Sequence, residues 1–253
     1  MAGHSKWANI KHRKGAQDKK RAKQFTRVIK EITVAIKENN QNGDPETNPS
    51  LRNAIQNAKG VNMPKDTIER AIKKASGADA DSYEKMTFEG YGPHGIAIYV
   101  ECTTDNTNRT VASVRSIFTK HNGSLGTNGS LEFLFDRKGV FTLKKEGLDW
   151  NFEELQLELI EAGATKFENE DDFFVIYTDF TDFGSMSEKL ESLNIETHNA
   201  ELQRIPLNTE TLPVDEAKQI VNLIEAFEDD DDVQDVFHNL GMTDELEAAL
   251  EED

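Results

Sequence analysis

A chain of 253 residues is long enough for two or three compact units of roughly 60 to 150 residues each. Its 36% apolar and 30% charged content fits folded domains, and no apolar run approaches the ~20 residues that span a bilayer. The single cysteine, Cys102, excludes an internal disulfide framework, and the start carries no apolar leader, so a cytoplasmic protein with no membrane partner is expected.

Charge is distributed unevenly. The chain carries a net -18, yet the first 30 residues hold ten Lys and Arg against the single acid Asp18, a net of +9, which leaves -27 for the rest. A chain that separates charge in this way is built to hold one end against a polyanion. The head of this stretch, Gly3-His-Ser-Lys-Trp-Ala-Asn-Ile-Lys-His-Arg-Lys14, interleaves its cations with an aromatic ring and amides. Lys and Arg would neutralise phosphates and release counterions, while Trp7 would stack on an exposed base. The expected nucleic-acid contacts are therefore Lys6, Trp7, Lys11, His12, Arg13, Lys14, Lys19, Lys20, Arg21, Lys23 and Arg27. A solvated Lys-rich tail is the competing reading.

From Lys19 to about Asn40, apolar residues recur at helical spacing (Phe25, Val28, Ile29, Ile32, Ala35, Ile36), and Gly43 ends the run. Asn48-Pro49 starts a second helix with the stripe Leu51, Ala54, Ile55 and Ala58. Asn62-Met-Pro64 repeats the start signal for a third, with Ile68, Ala71, Ile72 and Ala75 inward. Three short amphipathic helices bury their stripes only against one another, so residues 1–77 read as a basic arm and a three-helix domain. Arg70, Lys73 and Lys74 extend the basic character onto the third helix as secondary candidate contacts.

A polar stretch from Ala78 to Thr87 reads as a linker, after which the periodicity changes. Strand 95–102, helix 107–122 and strand material in 131–143 suggest one βαβ unit. Residues 146–205 then read as an αββαβ module, and a helix over 213–227 with a strand over 233–238 as its sequel. A lone βαβ is short of strands and the terminal αβ has no sheet of its own. Joining them gives a discontinuous α+β domain, 88–145 plus 206–240, with 146–205 inserted as a second. The expected fold class is thus α+β multidomain, an all-α three-helix domain followed by two ferredoxin-like domains. The remainder, 241–253, reads as an acidic helix or a disordered tail.

Signals of enzyme chemistry are weak throughout. Gly90-Tyr-Gly-Pro-His-Gly95 matches a dinucleotide fingerprint literally, but a strand follows it where a helix is required, so a turn is expected. Cys102 lies among apolar residues as a packing group would, and the six histidines show no ligand spacing. No paired acid and base or activated nucleophile stands out, so a non-enzymatic protein without cofactor or metal is expected. Three local features keep two readings each. Asn106 and Arg109 sit where a helix N-terminus either binds an anion or is simply capped. The loop of Gly123, Gly126 and Gly129 is either a phosphate nest or a plain turn. The run Glu228-Asp-Asp-Asp-Asp232 opposes the helix dipole before it, and so either binds Mg²⁺ or a basic segment such as the arm, or is a solvated turn.

Five stretches taken together resemble the YebC/PmpR family: Ala2 to Lys14, Asn62-Met-Pro-Lys65 with Ile68-Glu-Arg-Ala-Ile72, Glu89-Gly-Tyr-Gly-Pro93, Thr104-Asp-Asn106 with Asn108-Arg-Thr110, and Asp230-Asp-Asp-Val-Gln234. The resemblance runs from residue 2 to about 239. It implies cytosolic, non-enzymatic regulators with one all-α and two α+β domains. Their usual description, DNA-binding transcriptional regulator, stands beside relatives that include a mitochondrial translational activator. The implied partner is DNA, or ribosomal RNA in the ribosome; neither the residues nor the resemblance fixes an oligomeric state, and a monomer is the default expectation.

Overall fold

The computed structural model of the chain describes residues 17–77, 82–146, 150–170 and 172–251. Three helices come first: α1 (Gln17–Glu38), α2 (Pro49–Gly60) and α3 (Lys65–Ala75). Their common core is the set of stripes read from the sequence, with Ile32, Ile36, Leu51 and Ala58 fully buried. Asn48 begins α2 in a manner that satisfies its whole carboxamide. Its oxygen accepts from Leu51 N (3.1 Å), while its nitrogen donates to the Ala35 carbonyl (3.1 Å) and the Asn42 carbonyl (2.9 Å). The cap therefore also pins the loop after α1 to the body of that helix.

Two four-stranded sheets follow. The first is built from β1 (Glu84–Tyr91), β2 (Ala97–Thr104), β3 (Ser124–Leu125) and β8 (Val233–His238), in the order β3-β1-β2-β8. Helices α4 (Thr107–Lys120), α7 (Val214–Glu228) and α8 (Asp244–Glu251) belong with it. Alternate residues of β2 serve two cores, as a strand's period of two demands. Ile98, Val100 and Cys102 join Phe118 and Phe227 on the helical side, whereas Ala97 and Tyr99 meet Leu131, Phe135 and Phe237 on the other.

The second sheet has the order β5-β6-β4-β7. Its strands are β4 (Phe135–Lys144), β5 (Ala164–Asn169), β6 (Phe173–Asp179) and β7 (Asn199–Pro206), with α5 (Phe152–Glu161) and α6 (Phe183–Ser192) between them. This βαββαβ succession is the split-βαβ, ferredoxin-like arrangement. Phe141, Phe174, Leu155, Leu159, Met186 and Leu190 form its core.

Two expectations need correction. Residues 131–143 were expected to close the first sheet, but β4 pairs with β6 from Lys138↔Asp179 to Lys144↔Phe173, so this strand opens the inserted module. The expected linker 78–87 contains the start of β1, which pairs with β2 from Glu84↔Thr104 onward. Its first residues are exposed at the end of a sheet, so they carry no apolar alternation. Beyond Gly241 the chain takes the helical one of its two expected readings, forming α8, whose Leu246 and Leu250 enter the first module's core. Among the described residues, no helix is long and apolar enough to cross a membrane.

Contacts divide the chain into two compact units: 1–23, 82–136 and 205–253 in one, 24–81 and 137–204 in the other. The three-helix core and the inserted module thus share a unit, whereas the discontinuous module forms its own. Asn48→Ala removes a cap and strands the buried Ala35 carbonyl and the part-buried Asn42 carbonyl, so it is expected to cost about 2 kcal/mol. Urea unfolding followed by circular dichroism measures that loss.

Candidate nucleic-acid interface

The basic arm was the main candidate, and Lys6, Trp7, Lys11, His12, Arg13 and Lys14 lie outside the described residues. Lys19 and Lys20 fall on the first turn of α1, where the backbone alone is described. Arg21 is exposed on the same helix. Lys23 is half-buried, and its buried ammonium makes no hydrogen bond among the described residues, though it feels the field of Asp229, Asp231, Asp230 and Glu228. Burial lowers its pKa, and these four carboxylates offset that lowering only in part. Arg27 lies 3.9 Å from Glu31 and 3.7 Å from Glu201, both loose ion pairs.

On α3, Arg70 turns back on its own helix, donating from Nε to the Asp66 carbonyl at 3.0 Å and from Nη2 to Thr67 Oγ1 at 3.2 Å. Lys65 pairs with Glu69 across one turn at 3.7 Å. Lys73 and Lys74 are exposed in the last turn, where cations also suit the helix dipole.

Asn106 and Arg109 are brought to the acidic run, which the sequence places more than a hundred residues away. Asn106 caps α4 by accepting from Arg109 N at 3.1 Å. The Arg109 guanidinium donates to Asp232 through Nε (3.1 Å to Oδ2) and Nη2 (2.9 Å to Oδ1, 2.8 Å to Oδ2), and to Asp105 at 2.8 Å. These bonds, from Asp232 first and Asp105 second, raise the Arg109 pKa above its ordinary value. Thr110 Oγ1 donates to Asp232 Oδ2 at 2.9 Å, and Ser113 donates to Asp230. Asp230 in turn accepts from Asp232 N at 2.9 Å, and Thr103 N donates to the Asp232 carbonyl at 2.8 Å. Residues 109, 113 and 230–232 line a cleft of about 460 Å³. Asp230 and Asp232 thus spend their oxygens within the fold, and among the described residues no group of His, Cys, Asp and Glu is arranged to hold a metal ion.

The glycine loop is indeed a nest, and its anion belongs to the chain. Gly129 N and Leu131 N donate to the two carboxylate oxygens of Glu89 at 2.7 and 2.6 Å, and Gly126 N donates to the Glu89 carbonyl at 2.7 Å. Gly129 has φ +82° with open space around it, so its backbone conformation rather than its bulk calls for glycine. Glu89 is 2% exposed, a role that sequence reasoning missed. The clue was an acid one residue from buried Phe88, within three residues of two glycines. His94 and Gly95, both at positive φ, make the β1–β2 turn, so the literal fingerprint is a hairpin.

In the unit formed by 24–81 and 137–204, the sequence also missed the seam between α2 and β7. β7 lies at a sheet edge, and Asn57 meets it as a neighbouring strand would. Its nitrogen donates to the Ala200 carbonyl (3.1 Å) and its oxygen accepts from Ala200 N (2.9 Å). At Gly60 an added Cβ would stand 1.7 Å from the His198 carbonyl oxygen, so only glycine permits this approach.

Comparison with known proteins agrees with this architecture. A family model described as the TACO1/YebC protein N-terminal domain matches residues 5–78, and one described as the TACO1/YebC second and third domain matches 83–240. A probable transcriptional regulatory protein of Amoebophilus asiaticus is 53% identical over 95% of this chain and 98% of its own length. One of the same description from a Geobacillus species is 48% identical over the whole of both chains. The crystal structure of a conserved hypothetical protein from Aquifex aeolicus superposes with a TM-score of 0.78 at 38% identity, covering 91% of this chain and 95% of that one.

Arg109→Ala leaves Asp232, whose side chain is 8% exposed, without its two-pronged partner. The urea midpoint is expected to fall, and Arg109→Ala with Asp232→Asn is expected to recover part of the loss. Purely additive losses in that double-mutant cycle would show that the pair is uncoupled.

Proposed function

The chain belongs to the TACO1/YebC family, and from that membership we propose that it is a non-enzymatic, DNA-binding regulator of transcription, working in the cytoplasm as a monomer. One observation carries the nucleic-acid part: a segment of net +9 at the head of a chain of net -18. The acids elsewhere do not cancel it, because the Debye length is ~8 Å at physiological salt. They repel phosphate from the remaining surface, so binding is one-sided and runs through Lys6, Lys11, Arg13, Lys14, Lys19, Lys20, Arg21, Lys23 and Arg27, with Trp7 and His12 among them. Arg70, Lys73, Lys74, Asn106 and Arg109 are secondary. The names of the relatives, probable transcriptional regulatory proteins, support transcription as the process.

A second reading, contact with ribosomal RNA in a translation factor, is favoured by α3. Helices α2 and α3 are joined by the short stretch 61–64, as in a helix-turn-helix. Yet α3 has no Asn or Gln for base edges, and its Arg70 and Lys65 bond within the helix. Backbone contact without sequence readout suits a structured RNA at least as well as an operator.

Neutralising Lys11, Arg13 and Lys14 together is expected to weaken binding to duplex DNA and to flatten its salt dependence, by about one unit of slope for each phosphate that is no longer neutralised. Fluorescence anisotropy across a salt series measures both, and an unchanged slope sinks the arm's role. Sedimentation of the full chain with ribosomes, abolished on deleting residues 2–14, would replace transcription with translation; ribosome-free protein that binds a duplex selectively would uphold transcription.

A further inference from the structure

The seam between α2 and the inserted module opens into a cleft of about 470 Å³. Gln56, Lys59 and Gly60 come to it from α2, Lys144, Glu146 and Trp150 from the end of β4 and the start of α5, and the stretch 194–198 from the loop before β7. All of these lie in one compact unit. We infer that this cleft is a binding site for one unpaired nucleotide of a single-stranded nucleic acid. The inference rests on the nucleic-acid reading above and adds to it a site that does not involve the arm.

Four features of the cleft match four parts of a nucleotide. Trp150 packs against the module's core while lining the cleft, so its indole is held in place before any ligand arrives. A fixed indole is a stacking platform for a base. Gln56 contributes a carboxamide whose oxygen is buried and accepts no hydrogen bond among the described residues. Turning the side chain toward the cleft brings this carboxamide to the edge of an unpaired base, and its oxygen gives up no hydrogen bond in doing so. Lys59 and Lys144 are exposed cations that line the cleft from separate elements, placed for a phosphate. Lys59 stands 3.7 Å from Glu196, and with side chains 51% and 78% exposed this pair is weak enough to exchange its carboxylate for a phosphate. Glu146 and Glu196 accept from sugar hydroxyls or exocyclic amines.

The walls are rigid for reasons already visible. His198 N donates to the Thr142 carbonyl at 2.8 Å, the His198 ring lies 5.1 Å from that of Phe173, and Gly60 lets α2 press on the His198 backbone. A duplex hides its base faces within the stack, so it has nothing to offer Trp150 without the cost of unstacking. The site therefore discriminates strandedness rather than sequence, which the arm's cations do not.

The chain has two tryptophans, Trp7 and Trp150, so in Trp7→Phe the second is the sole indole reporter. In that variant, short oligouridylate and oligothymidylate are expected to quench indole emission saturably, and a short DNA duplex is expected to bind without quenching. The stronger quencher of the two single strands identifies ribonucleotide or deoxyribonucleotide as the natural ligand. Trp150→Ala and Lys144→Glu, made in the otherwise native chain, are each expected to weaken single-strand binding on the order of tenfold while leaving duplex affinity in place. Lys144 is exposed and its replacement leaves the core intact, so it separates a failure to bind from a failure to fold. Single strands that bind by anisotropy with unmoved Trp150 emission, and with both variants behaving as the parent, would overturn the cleft and leave the arm. A full chain that binds neither single strand nor duplex would overturn both readings.

Discussion

The first module is closed by a contact made across a long interruption of its own chain. Residues 137–204 fold into the other unit, so β8 must return to β2 after that excursion and find its register. Closing so large a loop costs entropy that the strand pair alone recovers only slowly as it zips. Asp232, the residue before β8, supplies the fixed point. Its carboxylate takes Arg109 and Thr110 from the first turn of α4, and its carbonyl takes the Thr103 amide of β2. One residue thus ties the returning strand both to the sheet it joins and to the helix that covers that sheet.

The same residues explain an oddity of charge. Acids at the C-terminal end of a helix are unfavourable, and Glu228 to Asp232 stand where α7 ends. The unfavourable placement is offset because Asp232 and Asp230 are bonded into α4. Glu89 repeats the device with backbone amides in place of a cation. The most conspicuous acids of this module are therefore internal ties, and the negative net charge that remains is spread over surface that polyanions avoid.

How much of this was legible depended on whether a feature is local. The three helices could be read from their stripes and starts, because Asn48 and the prolines at 49 and 64 act within a turn of themselves. The ferredoxin-like character followed from the order of elements. The assignment of β4 to a sheet did not, since a strand's pattern says that it is half-buried and never which neighbour it pairs with. β1 was cut short because its exposed first two residues, Glu84 and Lys85, resemble a linker. At the candidate site, the Asn106 cap is local and was legible as one of two readings, whereas the partners of Arg109, the occupant of the glycine nest and the seam at Gly60 are all long-range contacts.

That seam also suggests why the helical domain and the inserted module share a unit. A sheet edge exposes unpaired amides and carbonyls, and β7 is such an edge. A third helix layer cannot satisfy them, because helix backbones are already bonded internally. A side-chain amide can, since it carries one donor and one acceptor at nearly the spacing of a peptide, and Asn57 is 8% exposed with both of its polar atoms on Ala200. Arg27 with Glu201, Arg52 with Glu191 and Lys59 with Glu196 add basic-to-acidic pairs around it. The face of the helical domain that meets the inserted module is thus matched to it both in hydrogen bonding and in charge.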